Sequence, residues 1–261
     1  MLKRRPLFAA LTSLGLGLAM LTPLASQAQA PAPNKVFRFV PHANLAVLDP
    51  VWTTAYVTRN HAYMIYDTLF SEDAQGNIKP QMVDTYETSR DGKTWTFKLR
   101  AGLEFHDGKP VTSEDVVASI KRWASRDAMG GILNNFIDHM ETPDANTFRL
   151  VLKEPCGIVL DALGKASSNV PFIMPARIAA TPGTEQVKEH IGSGPFIFKA
   201  DEFKPGSLAV YVRNPKYKSR SEAPSAPRKP SSANSLPMAS ATASGLSCGT
   251  NSPLPSFMHW S

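Results

Sequence analysis

Residues 86–115 read YETSRDGKTWTFKLRAGLEFHDGKPVTSED. Asp91-Gly92 is a turn signal, and Thr94 to Arg100 then alternates strictly. Trp95, Phe97 and Leu99 fall on one face, with Thr96, Lys98 and Arg100 on the other, the period of a half-buried strand. Gly102 interrupts, and Leu103 and Phe105 resume the alternation as a second strand. Asp107-Gly108 makes another tight turn. Thr112, three residues before Asp115, has the spacing of a capping box. It opens a helix with Val116, Val117, Ile120 and Trp123 on one stripe. The order is turn, strand, strand, turn, capped helix, which predicts an α+β domain.

Working outward, Pro80 to Tyr86 leads into this segment after a turn at Gly76-Asn77. Beyond it, Asp127 to Gly131 breaks the helical pattern and Phe136 to Met140 reads as a short helical piece. Phe148, Leu150 and Leu152 alternate as a strand that Pro155 ends. Ile158 to Leu163 reads as a helix and Val170 to Pro175 as a buried extended run. Gly192-Ser193-Gly194-Pro195-Phe196 opens a hairpin that turns at Lys204-Pro205-Gly206-Ser207 and returns through Leu208, Val210 and Val212. On the N-terminal side, Val36 to Val40 (VFRFV) predicts a strand buried on both faces. After Asn44 to Pro50 (NLAVLDP) comes a helix with Ala62, Ile65, Tyr66 and Leu69 at helical spacing.

The segment 86–115 closely resembles the signature region of bacterial extracellular solute-binding proteins of the peptide/nickel type (family 5). These are the ligand-capturing subunits of ABC importers. The match runs through Asp91 to Arg100, then Gly102, Phe105, His106-Asp107-Gly108, Pro110 and Glu114-Asp115-Val116. Leu48-Asp49-Pro50, Tyr66-Asp67-Thr68-Leu69-Phe70, the GSGPF run and Arg213-Asn214-Pro215-Lys216-Tyr217 resemble the same family. The resemblance covers Val36 to Tyr217. It implies a mixed α/β (α+β) architecture of the periplasmic-binding-protein type II kind, with the first lobe only and incomplete. It also implies a binding function without covalent chemistry and without a cofactor. A peptide or other small solute is captured between two lobes and delivered to the permease and ATPase subunits of an importer, by a protein expected to be a monomer. In such proteins the loop after the first strand faces the ligand cleft. Trp52, Thr53, Thr54 and Tyr56 are therefore the expected ligand contacts; the alternative is that Trp52 and Tyr56 cover the core.

Other chemistry finds little footing. The six histidines have no pair at metal-ligand spacing and no H-E-x-x-H. No G-x-S-x-G elbow supports the alternative of a periplasmic hydrolase. The glycines of GSGPF lack the Lys-Ser/Thr pair of a phosphate loop. His106 beside Asp107 reads as a hydrogen-bonded structural pair, and Glu114 and Asp115 suit a helix N-terminus. Cys156 falls in the predicted fold and Cys248 in the tail, which makes a disulfide between them an unpromising design.

The formal net charge of +6 is carried by the ends of the chain, so it implies no nucleic-acid partner. Lys3, Arg4 and Arg5 precede an apolar run from Leu7 to Leu24 and small residues at Ala28 and Ala30. That order predicts a secretory signal over residues 1–30 and a periplasmic mature protein. Arg4-Arg5 leaves both the general and the twin-arginine export routes open. The reading divides the chain into 1–30 (signal), 31–218 (first lobe) and 219–261. That last stretch is Ser/Ala/Pro-rich, with no Val, Ile or Tyr, and is predicted to be low-complexity, disordered or frame-shifted.

Two outcomes are expected. N-terminal sequencing of the exported protein should find the mature chain beginning after Ala28 or Ala30; a chain still beginning at Met1 refutes the signal. The stretch from about Ala226 onward is expected to be translated in a shifted frame. Translating the nucleotides downstream of codon 217 in all three frames should then recover Val/Ile-rich alternating strands in another frame. If no frame shows them, the tail is genuine.

Overall fold

The computed structural model describes residues 36–219. The signal segment, the shifted-frame stretch and Cys248 lie outside the described residues. Residues 36–40 fall in a separate compact unit from the chain after Pro41 and are treated by themselves. They form no strand and are all exposed, Phe37 at 89% and Val40 at 90%. This corrects the expectation of a strand buried on both faces. Alternating apolar residues supply the faces of a strand, but the strand exists only once its backbone has a partner, and none is paired with 36–40 among the described residues.

From Pro41 on, the elements alternate between short helices and antiparallel strands. Helix α1 (Tyr56–Ile65) leads into β1 (Asp67–Thr68), β2 (Phe70–Glu72), β3 (Ile78–Pro80), β4 (Val83–Thr88) and β5 (Thr94–Leu99). Helices α2 (Ser113–Ala124) and α3 (Ala128–Phe136) precede β6 (Ile137–Asp144) and β7 (Thr147–Leu152). The chain closes with α4 (Val159–Gly164), β8 (Phe172–Ile173), α5 (Ala176–Ala179), β9 (Phe196–Phe198) and β10 (Tyr211–Arg213).

The largest sheet has the order β4-β5-β7-β6, all antiparallel. Its register puts Tyr86, Phe97 and Phe148 in one row across three strands. Phe97 and Phe148 stack at 4.8 Å with planes 12° apart, and Tyr86 stacks on Phe97 at 6.2 Å. The alternation read over 94–100 is therefore the seam of the core: Phe97 and Leu99 are buried and Lys98 is exposed. Helix α2 lies against β6 and β7 with Val116, Ile120 and Trp123 sealed. Its N-terminus is the predicted capping box: the Asp115 carboxylate accepts the Thr112 backbone N–H at 2.8 Å. The other carboxylate oxygen accepts the Ala176 N–H at 2.6 Å, so one cap also pins α5.

Three expectations change. The second strand at Leu103 and Phe105 is only an isolated bridge, Glu104 to Pro110, although both apolar side chains are buried as the alternation implied. Gly102 and Gly108, both at positive φ, bend the chain on either side too tightly for a ladder to grow. Leu69 is buried but lies past α1, which stops at Ile65 because Tyr66 turns extended. The helix expected over 136–140 and the break expected over 127–131 are exchanged. Asp127 caps α3 by accepting the Gly130 N–H at 2.9 Å, and 137–144 is strand. Gly130 is there because a Cβ would sit 2.8 Å from the Ala124 Cα; the glycine is a packing contact, not a breaker.

A buried ion pair ties the loops together. Arg122 on α2 grips Asp49 of the NLAVLDP loop through both nitrogens, at 3.2 and 2.7 Å, with side chains 2% and 0% exposed. The Asp49 carboxylate also accepts the N–H groups of Val51 and Val187, and Arg122 donates to the carbonyls of Thr181 and Glu185. Removing one partner strands the other charge away from water, which costs about 3–5 kcal/mol. Asp49→Ala should lower stability in urea denaturation by that amount, and the double variant Asp49→Leu/Arg122→Met by much less. A single-variant loss below about 1 kcal/mol would contradict the role given to the pair.

Candidate functional site

The four residues expected at the ligand sit on the loop and first helical turn that Asp49 anchors. The loop is held from behind: the Asn169 side-chain amide, itself buried, donates to the carbonyls of Pro50, Val51 and Thr53 at 2.8, 3.2 and 3.1 Å. Thr58, on the inner face of α1, donates to the Val47 carbonyl at 2.7 Å. With its backbone so fixed, the loop turns other groups outward.

Tyr56 is 63% exposed, and Trp52 and Thr53 are half-buried. Thr54 is exposed, and the Thr53 hydroxyl accepts the Ala55 N–H at 3.2 Å, forming the entry to α1. Neither aromatic ring is among the buried core side chains. Each instead carries a guanidinium: Arg126 lies 5.2 Å from the Trp52 ring centre and Arg59 lies 4.3 Å from that of Tyr56. Arg126 also donates to the Trp52 carbonyl at 3.4 Å. His42 meets the Tyr56 ring edge-on at 6.5 Å. No carboxylate pairs with Arg59 or Arg126 among the described residues. The surface therefore offers two flat rings and two cations with donors to spare, which suits a solute carrying carboxylate groups. Tyr56 and Arg59 are three apart on one helix face, a spacing the sequence displayed. Arg126 comes from the end of α2 and had no sequence signal.

The GSGPF glycines make a different kind of contact. A Cβ on Gly192 would overlap the Ile65 carbonyl, and one on Gly194 would lie 2.7 Å from the Ile65 carbonyl carbon and the Tyr66 oxygen. Gly194 N–H donates to the Ile65 carbonyl at 3.0 Å. These glycines press the returning chain onto the end of α1, where no side chain fits. His106 is structural as read, but its partner differs from the expectation. Its Nε2 meets the Gly194 carbonyl at 3.1 Å, while Asp107 pairs with Arg177. Among the described residues no cluster of three or more His, Cys, Asp or Glu side chains could hold a metal ion. A small surface pocket beside Asp67, Leu103, Ser193 and Tyr217 includes none of the four ligand candidates.

Comparison with known proteins places the chain. Residues 77–234 match the family "Bacterial extracellular solute-binding proteins, family 5 Middle". The chain belongs to this family. It is 46% identical over 224 residues to the "probable peptide ABC transporter periplasmic-binding protein" of Sinorhizobium fredii, covering 85% of this chain and 41% of that one. To the nickel-binding periplasmic protein of Escherichia coli it is 28% identical over 157 residues, or 59% of this chain and 29% of the other. Among solved structures, NikA from Brucella suis in complex with Fe(III)-EDTA superimposes with a TM-score of 0.59 at 26% identity, over 69% of this chain and 36% of that one. The binding protein AgaA in complex with agropinic acid gives 0.55 at 30% identity, over 66% and 34%. The chain thus spans about two fifths, or less, of the relatives it matches. It is a member of the family-5 solute-binding proteins at partial length. The family is one of transport binding proteins rather than enzymes, so the hydrolase alternative loses its ground.

Proposed function

We propose that this chain forms one wall of a solute site in a periplasmic peptide-type importer, with Trp52, Thr53, Thr54 and Tyr56 facing the solute and Arg59 and Arg126 drawing its carboxylates. The observation that carries the reading is the pair of guanidiniums, without a carboxylate partner among the described residues, held over two outward-facing rings on a loop whose backbone is fixed from behind. A rigid backbone under exposed aromatic and cationic groups lowers the ordering cost of binding. The relatives support the chemistry: agropinic acid and EDTA both carry carboxylates, as does every peptide C-terminus. Capture is followed by transfer to the permease and ATPase subunits of the importer, and export is supported by the periplasmic relatives.

One wall buries at most one side of a small solute, while the cost of immobilising that solute is incurred in full. The 261-residue chain is therefore expected to give no calorimetric heat with a tripeptide pool at micromolar concentration. At millimolar peptide, amide chemical shifts should move at residues 52–59 and 126, and Tyr56→Ala with Arg126→Ala should abolish those movements. Micromolar binding by a soluble monomer overturns the one-wall reading, and shifts confined to other residues overturn the site.

A further inference from the structure

The segment from His190 to Arg213, which includes the GSGPF run and the β9–β10 hairpin, is fastened by imidazoles. His106 reaches it from the Phe105–Lys109 turn. Its Nε2 lies 3.1 Å from the Gly194 carbonyl, so that nitrogen is the donor, and its Nδ1 accepts the Gly192 N–H at 3.4 Å. The backbone adds a third bond, His106 N–H to the Gly192 carbonyl at 2.8 Å. One neutral tautomer fits this arrangement. A second proton on Nδ1 would point at the Gly192 N–H.

His61, on α1, reaches the same segment from the other side. It is 3% exposed, its Nδ1 lies 2.7 Å from the Tyr211 hydroxyl, and its ring packs edge-on against Phe198 at 4.9 Å. His190, within the segment, stands 6.3 Å from it, ring centre to ring centre. His61 Nε2 and His190 Nδ1 are both buried and bond to nothing among the described residues. A second proton on either ring would bring a charge into a site built of Phe198, Phe203 and Tyr211 rings.

We propose that the His190–Arg213 segment is an acid-released latch, held on the body of the fold by neutral His61, His106 and His190 and freed when they take up protons. The charged groups nearby do not offset this. The Asp49 carboxylate acts favourably on a charged His190, but it is committed to Arg122 and to two backbone N–H groups. Asp107, beside His106, is paired with Arg177, which also holds Glu189. Among the described residues, the titratable groups that bear on His61 are His190 and the Tyr211 hydroxyl.

The direction follows from the bound protons. Burial, reinforced by His190, lowers His61 from 6.5 to about 3, and burial also lowers His106 and His190. Each group is neutral when latched and takes its ordinary value when released. The hold is complete above about pH 6.5 and weakens as pH falls below it, because the released state binds more protons. At pH 5 a histidine of ordinary pKa favours release by about 30-fold, nearly all of which His61 contributes, with more from the other two. Helix α1 also carries Tyr56 and Arg59, so on the solute reading above the latch would couple acidity to the solute face; the latch itself does not depend on that reading.

Hydrogen exchange of the full chain, corrected for intrinsic rates, tests it. Between pH 7.5 and pH 5.0, peptides from 190–213 should lose at least about 30-fold protection while peptides from 83–99 keep theirs. Constant protection of 190–213 overturns the proposal, and so does an equal loss in both regions, which would be global acid unfolding. His61→Gln and His106→Gln, neutral at every pH, should each reduce the pH-dependent ratio. If either fails to fold, the wild-type ratio still decides.

Discussion

The Asp49–Arg122 pair is the constraint on which the candidate site depends. A bidentate ion pair sealed from water adds little net stability over two apolar side chains of the same size, because both ions lose their hydration. Its value here is positional. Asp49 takes the N–H of Val51 in its own loop and that of Val187, and Arg122 donates to the carbonyls of Thr181 and Glu185 in the stretch that carries Val187. Three chain segments are therefore referred to one point in the last turn of α2. A charge so deeply buried has no acceptable alternative partner, so the loop carrying Trp52 and Tyr56 has one position.

Around that point the fold uses two kinds of packing. The sheet β4-β5-β7-β6 is filled by large side chains, with Tyr86, Phe97 and Phe148 in a row and Trp123 of α2 behind them. Trp123 donates its indole N–H to the Asn169 carbonyl at 2.7 Å, and Asn169 in turn holds the 50–53 loop. Core and site thus share a residue. The return of the chain along α1 uses the opposite device, with Gly192 and Gly194 admitting backbone against backbone.

The same return is sealed by groups that can change charge. Buried His61 and half-buried His106 and His190 do in neutral form what a hydrophobic side chain would do at every pH, with the addition of hydrogen bonds to backbone and to Tyr211. The ion pair at Asp49 and the imidazoles at 61, 106 and 190 therefore divide the work. The first fixes the loop, and the second holds the hairpin subject to acid.

The sequence by itself determined what is local. Alternation over 94–99 and 147–152, the Thr112–Asp115 cap and the stripe Val116, Val117, Ile120 and Trp123 all depend on neighbours within a few residues, and they stand as read. The family was legible for the same reason, since its signature is a contiguous run. The tertiary structure decided whatever needed a distant partner. The apolar alternation of Val36–Val40 cannot say whether a pairing strand is present, and residues 36–40 are exposed. Gly130 reads as a breaker until Ala124 and Trp123 are seen to press on it. Trp52 and Tyr56 could be named from the loop they occupy, but Arg126 reaches Trp52 across seventy-four positions, and His61 reaches Tyr211 across a hundred and fifty. No periodicity records such contacts, because they are set by how packed elements meet and not by the local preference of the chain.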